Sequence, residues 1–158
     1  MVTGAWTWTL PSAVGPLTAV ADGEGALTAL RFGPQATEEG RSDPAPFAPL
    51  QEWLDAWSQR RPIARAFPLA PPGTAFQVQV WDALETIAFG RTSTYGALAL
   101  GLGGATKTRA VGRANGSNPI ALVVPCHRVI GSDGSLVGYA GGVDMKRRLL
   151  VHEGALLL

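Results

Sequence analysis

The chain of 158 residues has one cysteine, two histidines and few charged residues, 16% of the total. A single thiol cannot close an internal disulfide, and it cannot build a metal cage by itself. One unpaired cysteine suits a reducing cytosol, so a cytoplasmic protein is expected. No uninterrupted apolar run of about 18 residues occurs, so no membrane-spanning helix is expected. Met1-Val2-Thr3-Gly4 lacks a basic region leading into an apolar core, and does not look like a secretory signal. The net charge of +1 does not advertise a nucleic-acid partner. Its distribution is uneven, however. Residues 1–73 carry 5 Lys/Arg and 7 Asp/Glu, a balance of −2; residues 74–158 carry 8 and 5, a balance of +3. Ordinary fluctuation explains such a split, and DNA bound by the second half is permitted by it. Phosphate affinity should then be modest and salt-sensitive.

What is present is apolar and rich in turns: 46% hydrophobic residues, 20 Gly and 12 Pro. The length suits one ordinary domain or two small ones. Trp6 to Leu10 alternates large apolar with polar residues, as a strand does. Leu17–Ala21 and Ala26–Phe32 predict two more strands, joined by the turn residues Asp22-Gly23-Glu24-Gly25. Gly33 to Pro49 is a predicted loop. Leu50, Trp53, Leu54 and Trp57 share one face of a predicted helix, and core packing accounts for them. Arg61 to Gly73, with Pro62, Pro68, Pro71 and Pro72, is a predicted linker.

The second half reads as helical. Thr74 and Gln77 fit a capping box. The helix they open buries Phe76, Val80, Trp81, Leu84 and Ile87, and Gly90 stops it. Thr94 caps a short helix ending near Leu100, and another helix runs from near Ala105 to Asn115. Two short helices around Gly101–Gly104 have the pattern of a helix-turn-helix, which helical hairpins share in every fold. Ile120 to Val124 reads as a buried strand or extended segment, and Asp144 to His152 as the last helix.

The thiol lies in Val123-Val124-Pro125-Cys126-His127-Arg128-Val129-Ile130. A lone cysteine is either an inert core residue or a nucleophile. Burial raises a thiol's pKa, so a nucleophilic Cys126 needs a base, and His127 is adjacent. In an extended chain the two side chains point to opposite sides. A bridging water or a bent backbone resolves this, and His127 needs an orienting acceptor on its other nitrogen.

Pro125-Cys126-His127-Arg128-Val129, followed by Ile130-Gly131, resembles the active-site signature of the O6-alkylguanine-DNA alkyltransferases. The resemblance runs from about Thr74 to Leu158. It includes Tyr95, Arg109, Asn118-Pro119, Gly138-Tyr139, Gly141-Gly142 and His152-Glu153-Gly154 in the family's order and spacing. It implies that Cys126 accepts an alkyl group, His127 takes the thiol proton and Glu153 orients His127. Without it, Glu153 is an ordinary helix-end carboxylate. Asn118 is implied to tie the turn below the site, and it is also an ordinary turn residue before proline. The hydroxyl of Tyr95 is implied to meet an extruded base. Tyr139, Val129, Ala140 and Pro125 are implied to bind that base. Where some relatives have Ser, Ala140 offers only its backbone N–H. Arg109 is implied to enter the duplex in place of the flipped nucleotide; its ordinary reading is a solvent-facing charge. Ala110, Ala114, Gly96 and Ser132 complete the implied DNA surface, with a recognition helix in the minor groove. Zinc, bound by some relatives, is rejected because residues 1–73 contain neither Cys nor His.

The expected architecture is α/β. A small sheet-and-helix domain with its linker, residues 1–73, is ribonuclease-H-like by resemblance. A mostly helical domain with a helix-turn-helix occupies residues 74–158. The expected function is irreversible transfer of an alkyl group from O6-alkylguanine, and O4-alkylthymine, in double-stranded DNA to Cys126 after nucleotide flipping. No cofactor, no metal, no membrane and no obligate protein partner are expected, and the chain is expected to be a monomer. Two alternatives stay open: a module that flags alkyl lesions without transfer, and a cysteine hydrolase using Cys126 and His127. The extended chain expected before Cys126 argues against the second, since such enzymes usually set the thiol at a helix N-terminus.

Overall fold

The computed structural model describes residues 5–35 and 40–157, so Met1–Gly4 lie outside the described residues. The chain forms two compact units, Met1–Pro72 with Pro119–Ala121, and Gly73–Asn118 with Leu122–Leu158. Among the described residues they hold a four-stranded sheet, a two-stranded pair and five α-helices, a mixed α/β fold.

In the first unit, β1 (Trp6–Leu10), β2 (Leu17–Ala21) and β3 (Leu27–Phe32) form an antiparallel meander. β4 (Arg41–Ser42) joins β1 in parallel, giving the order β3-β2-β1-β4. Every residue of central β2 is buried. The β2–β3 turn works through Asp22, whose Oδ1 accepts from the Glu24 and Ala26 amides at 2.9 and 3.0 Å. That is an Asx-type turn. The outer edge of β3 is covered, with Leu69 bridging Leu27 and Ile120 bridging Leu30. The predicted linker is therefore stitched to the sheet, which satisfies an otherwise open strand edge. The predicted loop at 33–49 holds β4 and a 3₁₀ turn, Ala45–Phe47; residues 36–39 lie outside the described ones. Phe47 is buried and Asp43 caps the Ala45 amide at 2.9 Å, which fixes the turn. It leads into α1 (Ala48–Ser58), which buries Leu50, Leu54 and Trp57 and leaves Trp53 half-exposed.

In the second unit, α2 (Ala75–Leu84) opens on the expected capping box. Thr74 Oγ1 accepts from the Gln77 amide at 3.1 Å, and Gln77 Oε1 from the Thr74 amide at 2.8 Å. α3 (Tyr95–Gly101), capped by Thr94, is followed by a 3₁₀ turn, Ala105–Lys107, and α4 (Thr108–Gly116). α4 packs against both α2 and α3. A buried bond from Trp81 Nε1 to the Ala114 carbonyl, 2.8 Å, locks α2 onto α4. α2 ends at Leu84 rather than Gly90, and buried Ile87 lies in the turn that follows. Gly90 itself has φ +81°, and a Cβ there would lie 3.1 Å from the Glu153 carbonyl oxygen. Glycine thus lets this loop pass the end of α5 (Val143–His152). A two-residue parallel pair, β5 (Ser93–Thr94) with β6 (Val129–Ile130), was not expected from sequence. It ties the start of α3 to the residues that follow Cys126.

Candidate active site

The segment before Cys126 is not extended. Ile120 makes one isolated bridge, and the chain then turns through Leu122, whose φ of +72° is left-handed. A branched residue in that region is strained and needs its surroundings to hold it. Leu122 is wholly buried, and Asn118 Nδ2 donates to the Val124 carbonyl at 2.7 Å across the turn. Cys126-His127-Arg128 then form a 3₁₀ turn. In such a turn successive side chains leave the axis about 120° apart. His127 and Arg128 can therefore meet one partner while the Cys126 side chain points elsewhere. The backbone at Cys126 is bent rather than extended, and the His127 ring is turned to Glu153. The bend also removes the extended-chain argument against a hydrolase, because that argument assumed a strand.

The shared partner is Glu153. It caps α5 and is 4% exposed. His127 Nε2 lies 3.0 Å from Glu153 Oε2. Arg128 donates twice, Nε to Oε1 and Nη2 to Oε2, both at 2.8 Å, and its Nη1 donates to the Ile87 carbonyl at 2.6 Å. Glu153 is thus no ordinary helix-end carboxylate. His127 is fully buried, and its Nδ1 has no hydrogen-bond partner among the described residues.

Tyr95, half-buried at the start of α3, donates its hydroxyl to the Val137 carbonyl at 3.3 Å. The same carbonyl accepts from Lys146 Nζ at 3.0 Å. Asn115, buried in α4, reaches the Cys126 carbonyl at 3.4 Å. Tyr139 is half-buried, Val129 and Pro125 are buried, and Ala140 is exposed.

On α4, Arg109, Arg113 and Gly116 are exposed, with Gly112 half-exposed among them, while Val111, Ala114 and Asn115 face inward. Ala110 is half-exposed. Ala114 is buried, and its carbonyl is the Trp81 acceptor, so the candidate DNA face is drawn without it. Gly96 is half-exposed and Ser132 exposed.

The family model of the 6-O-methylguanine DNA methyltransferase DNA-binding domain matches residues 75–155. The methylated-DNA–protein-cysteine methyltransferase of Mycobacterium tuberculosis (strain H37Rv) is 44% identical over 149 residues, 92% of this chain and 90% of the relative. The chain belongs to the methylated-DNA–protein-cysteine methyltransferase family. The Salmonella typhimurium methyltransferase of that name is 60% identical over 89 residues, 56% of this chain and 52% of the relative. The fold is similar to the crystal structure of Mycobacterium tuberculosis OGT in complex with DNA. That similarity has a TM-score of 0.86 at 42% identity, covering 95% of this chain and 93% of the other.

For a methyltransferase, the electrostatics around the thiol are informative. Burial pushes the Cys126 thiol above its usual range, and a hydrogen bond from Asn118 and the charge of Lys146 offset this only in part. Burial pushes His127 down, against the pull of Glu153. Burial acts to raise Glu153, but hydrogen bonds from Arg128 and His127 outweigh it and hold the carboxyl at about 2. With Glu153 ionised and His127 neutral, the proton of the imidazole belongs on Nε2, donated to Oε2. Nδ1 then carries the free lone pair. Burial, then the charge of Cys126, pushes Tyr95 up, and the same two causes with Glu153 push Tyr139 far up. Both phenols stay protonated as donors.

Sequence reasoning missed three groups in this methyltransferase. Arg128 stood in the signature but counted only as a charge. Asn115 ended a helix and drew no attention. Lys146 went unremarked within the last predicted helix, yet it is fully buried. Its signal was the spacing Lys146, Leu149, Leu150, Glu153, an inward helical stripe.

Proposed function

We propose that this chain repairs DNA by moving an alkyl group from the O6 of guanine, and from the O4 of thymine, irreversibly to Cys126. The observation that carries the reading is the His127–Glu153 contact of 3.0 Å, which leaves His127 Nδ1 as a buried base in the same short turn as the thiol. The Cys126 proton passes to Nδ1, directly or through one water. The thiolate sulfur attacks the alkyl carbon. A C–S bond forms, and the C–O6 bond breaks with its electron pair left on the base. The base regains a proton from the Tyr95 hydroxyl, and the tyrosinate takes one back from water. The thioether offers no acidic proton and no good leaving group, so each molecule acts once.

A duplex hides the O6 position, so the nucleotide must leave the stack first. The reading gives α3 and α4 the role of a helix-turn-helix, with the Arg109 face of α4 in the minor groove. Arg109 fills the vacated stack. Tyr139, Val129, Ala140 and Pro125 hold the extruded base, and Gly96 and Ser132 contact the backbone. Asn118 keeps the strained turn that presents the thiol. The first unit supplies a ribonuclease-H-like frame, and the protein works as a cytoplasmic monomer. Small residues on the α4 face and the positive second half support this reading.

The test is peptide mass mapping after incubation with a duplex containing O6-methylguanine. The Cys126 peptide is expected to gain one methyl group while the DNA loses it. Binding to the lesion with no mass gain would instead support a module that flags damage. Repeated turnover on an ester would support a hydrolase.

A further inference from the structure

Asn115 stands in the last turn of α4, on its inward side with Val111 and Ala114. It is 2% exposed. Its Oδ1 has no hydrogen-bond partner among the described residues. A buried polar atom left unpaired is costly, and an apolar side chain would avoid that cost. The reason to keep an amide there lies in its donor end.

That end meets two groups of the candidate active site. Nδ2 donates to the Cys126 carbonyl at 3.4 Å, a long bond. The Asn115 side chain also hydrogen-bonds the Tyr95 hydroxyl, opposing burial and the Cys126 charge, which push that phenol up. An amide NH₂ carries two hydrogens, one for each partner. The packing brings Tyr95 close. α3 and α4 lie against each other, and a Cβ on Gly112 would be 3.9 Å from Tyr95 Cδ1. Gly112 precedes Asn115 by three residues, so the two are neighbours on the helix surface. The glycine leaves room for the ring, and the amide meets its hydroxyl.

The Tyr95 hydroxyl has one proton to give and an oxygen that accepts. At rest it donates to the Val137 carbonyl at 3.3 Å. Turning the proton to an extruded base gives up that long bond, while the oxygen still accepts from Asn115. Once the proton has gone, the oxygen is an anion, and a hydrogen bond to an anion is stronger than one to a neutral oxygen. The contact therefore strengthens as the C–O6 bond breaks, and only such a contact speeds the step.

We propose that Asn115 is a positioning residue for the leaving-group step. Its side-chain amide holds the Tyr95 oxygen and stabilises the tyrosinate formed when the phenol proton passes to the departing base. This rests on the alkyl-transfer reading and deepens it. Asn115 gives up no proton of its own; it acts through Tyr95, which then takes a proton back from water.

The full chain, Asn115→Leu, Tyr95→Phe and the double variant are compared in single-turnover reaction with the free base O6-benzylguanine at saturation. Labelling of Cys126 by iodoacetamide is the second readout. Both reagents alkylate the same sulfur, but iodide leaves without a proton and guanine needs one. Leu is close to Asn in size and lacks the donor; Asn115→Ala replaces it if Leu does not fold. Asn115→Leu should slow transfer from O6-benzylguanine about tenfold, as for loss of one hydrogen bond to a charged group. Iodoacetamide labelling should stay within about threefold of wild type. On the Tyr95→Phe background, where no phenol proton moves, the Asn115 substitution should change transfer by about twofold or less. A native transfer rate in Asn115→Leu overturns the proposal. So does an equal loss with both reagents, which assigns Asn115 to the Cys126 turn or to the fold. So does an undiminished loss on the Tyr95→Phe background, which means that Asn115 acts without Tyr95. Mass mapping of wild-type benzylation at Cys126, run alongside, tests the underlying transfer reading separately.

Discussion

Replacing Glu153 by Gln strikes the site where the most bonds meet. The carboxylate accepts one contact from His127 and two from Arg128, at 3.0, 2.8 and 2.8 Å. Gln offers one oxygen and one NH₂ group. Whichever way it sits, the NH₂ faces a donor, so at least one charge-assisted bond is lost, worth about 1.5–3 kcal/mol. Arg128 is then a cation in a buried site, with the Ile87 carbonyl as its other acceptor. Removing one partner of a buried pair costs about 3–5 kcal/mol of stability. The imidazolium formed during transfer also loses its counter-charge. At about 2 kcal/mol this slows transfer roughly thirtyfold. The assay is single-turnover transfer from an O6-methylguanine duplex across pH, with denaturant melts in parallel. A second variant separates the two effects. Glu153→Gln combined with Arg128→Met no longer strands a cation, so part of the stability should return while transfer stays slow. Recovery of rate together with stability would mean that Glu153 only holds the fold. A stable single variant with native rate and pH profile would refute the relay outright.

Cys126→Ala should abolish transfer and leave binding to a lesion-containing duplex nearly intact; loss of methyl from the DNA in this variant would sink the assignment. Arg109→Ala should slow duplex repair by about tenfold or more and leave reaction with O6-benzylguanine unchanged, because a free base needs no extrusion. Equal losses on both substrates would place Arg109 in the pocket or the fold. Acid should destabilise the protein in two steps. The folded His127 has a pKa below 6.5, so the unfolded chain takes up the proton first and stability falls as pH drops below 6.5. Glu153, held at about 2 against 4.5 unfolded, contributes stability that is present above pH 4.5 and lost as pH falls toward 2. That second contribution is on the order of 3 kcal/mol; denaturant melts that are flat from pH 7 to 3 would contradict both steps.

Elements set by local chemistry were legible in the sequence. β1 falls where alternation placed it, β2 spans the predicted Leu17–Ala21, and the Thr74–Gln77 capping box forms as spaced. Elements set by distant partners were not. β5 and β6 are two residues each and exist only because Ser93 and Thr94 pair with Val129 and Ile130. The linker looked free because Leu69 shows its strand partner only in three dimensions. The stretch before Cys126 misled because Ile120-Ala121-Leu122-Val123-Val124 is rich in β-formers, and a side-chain bond from Asn118 overrides that propensity with a turn. The resemblance named Cys126, His127 and Glu153, but Glu153 is held by Arg128 as well as by His127.

On the proposed reading, Arg128 also keeps the base ready before the lesion arrives. A buried carboxylate next to an imidazole pulls a proton onto the ring, and a protonated His127 could not accept one from Cys126. Two influences prevent this. Burial disfavours the imidazolium, and the Arg128 charge pushes the same way, against Glu153. The bidentate Arg128 contact neutralises the carboxylate at rest without removing its acceptors, so Oε2 still fixes the tautomer. On the proposed reading, the resting site holds a protonated thiol and a neutral imidazole, and both charges arise on transfer of one proton. Neither charge is favourable alone in that buried space, since burial opposes each. In the proposed transfer the two charges form together, and Glu153 stabilises the cation as it appears. On the proposed reading, such a site keeps its one thiol unreactive in ordinary collisions and reactive when an alkyl carbon is held against the sulfur, as a protein that acts once would require.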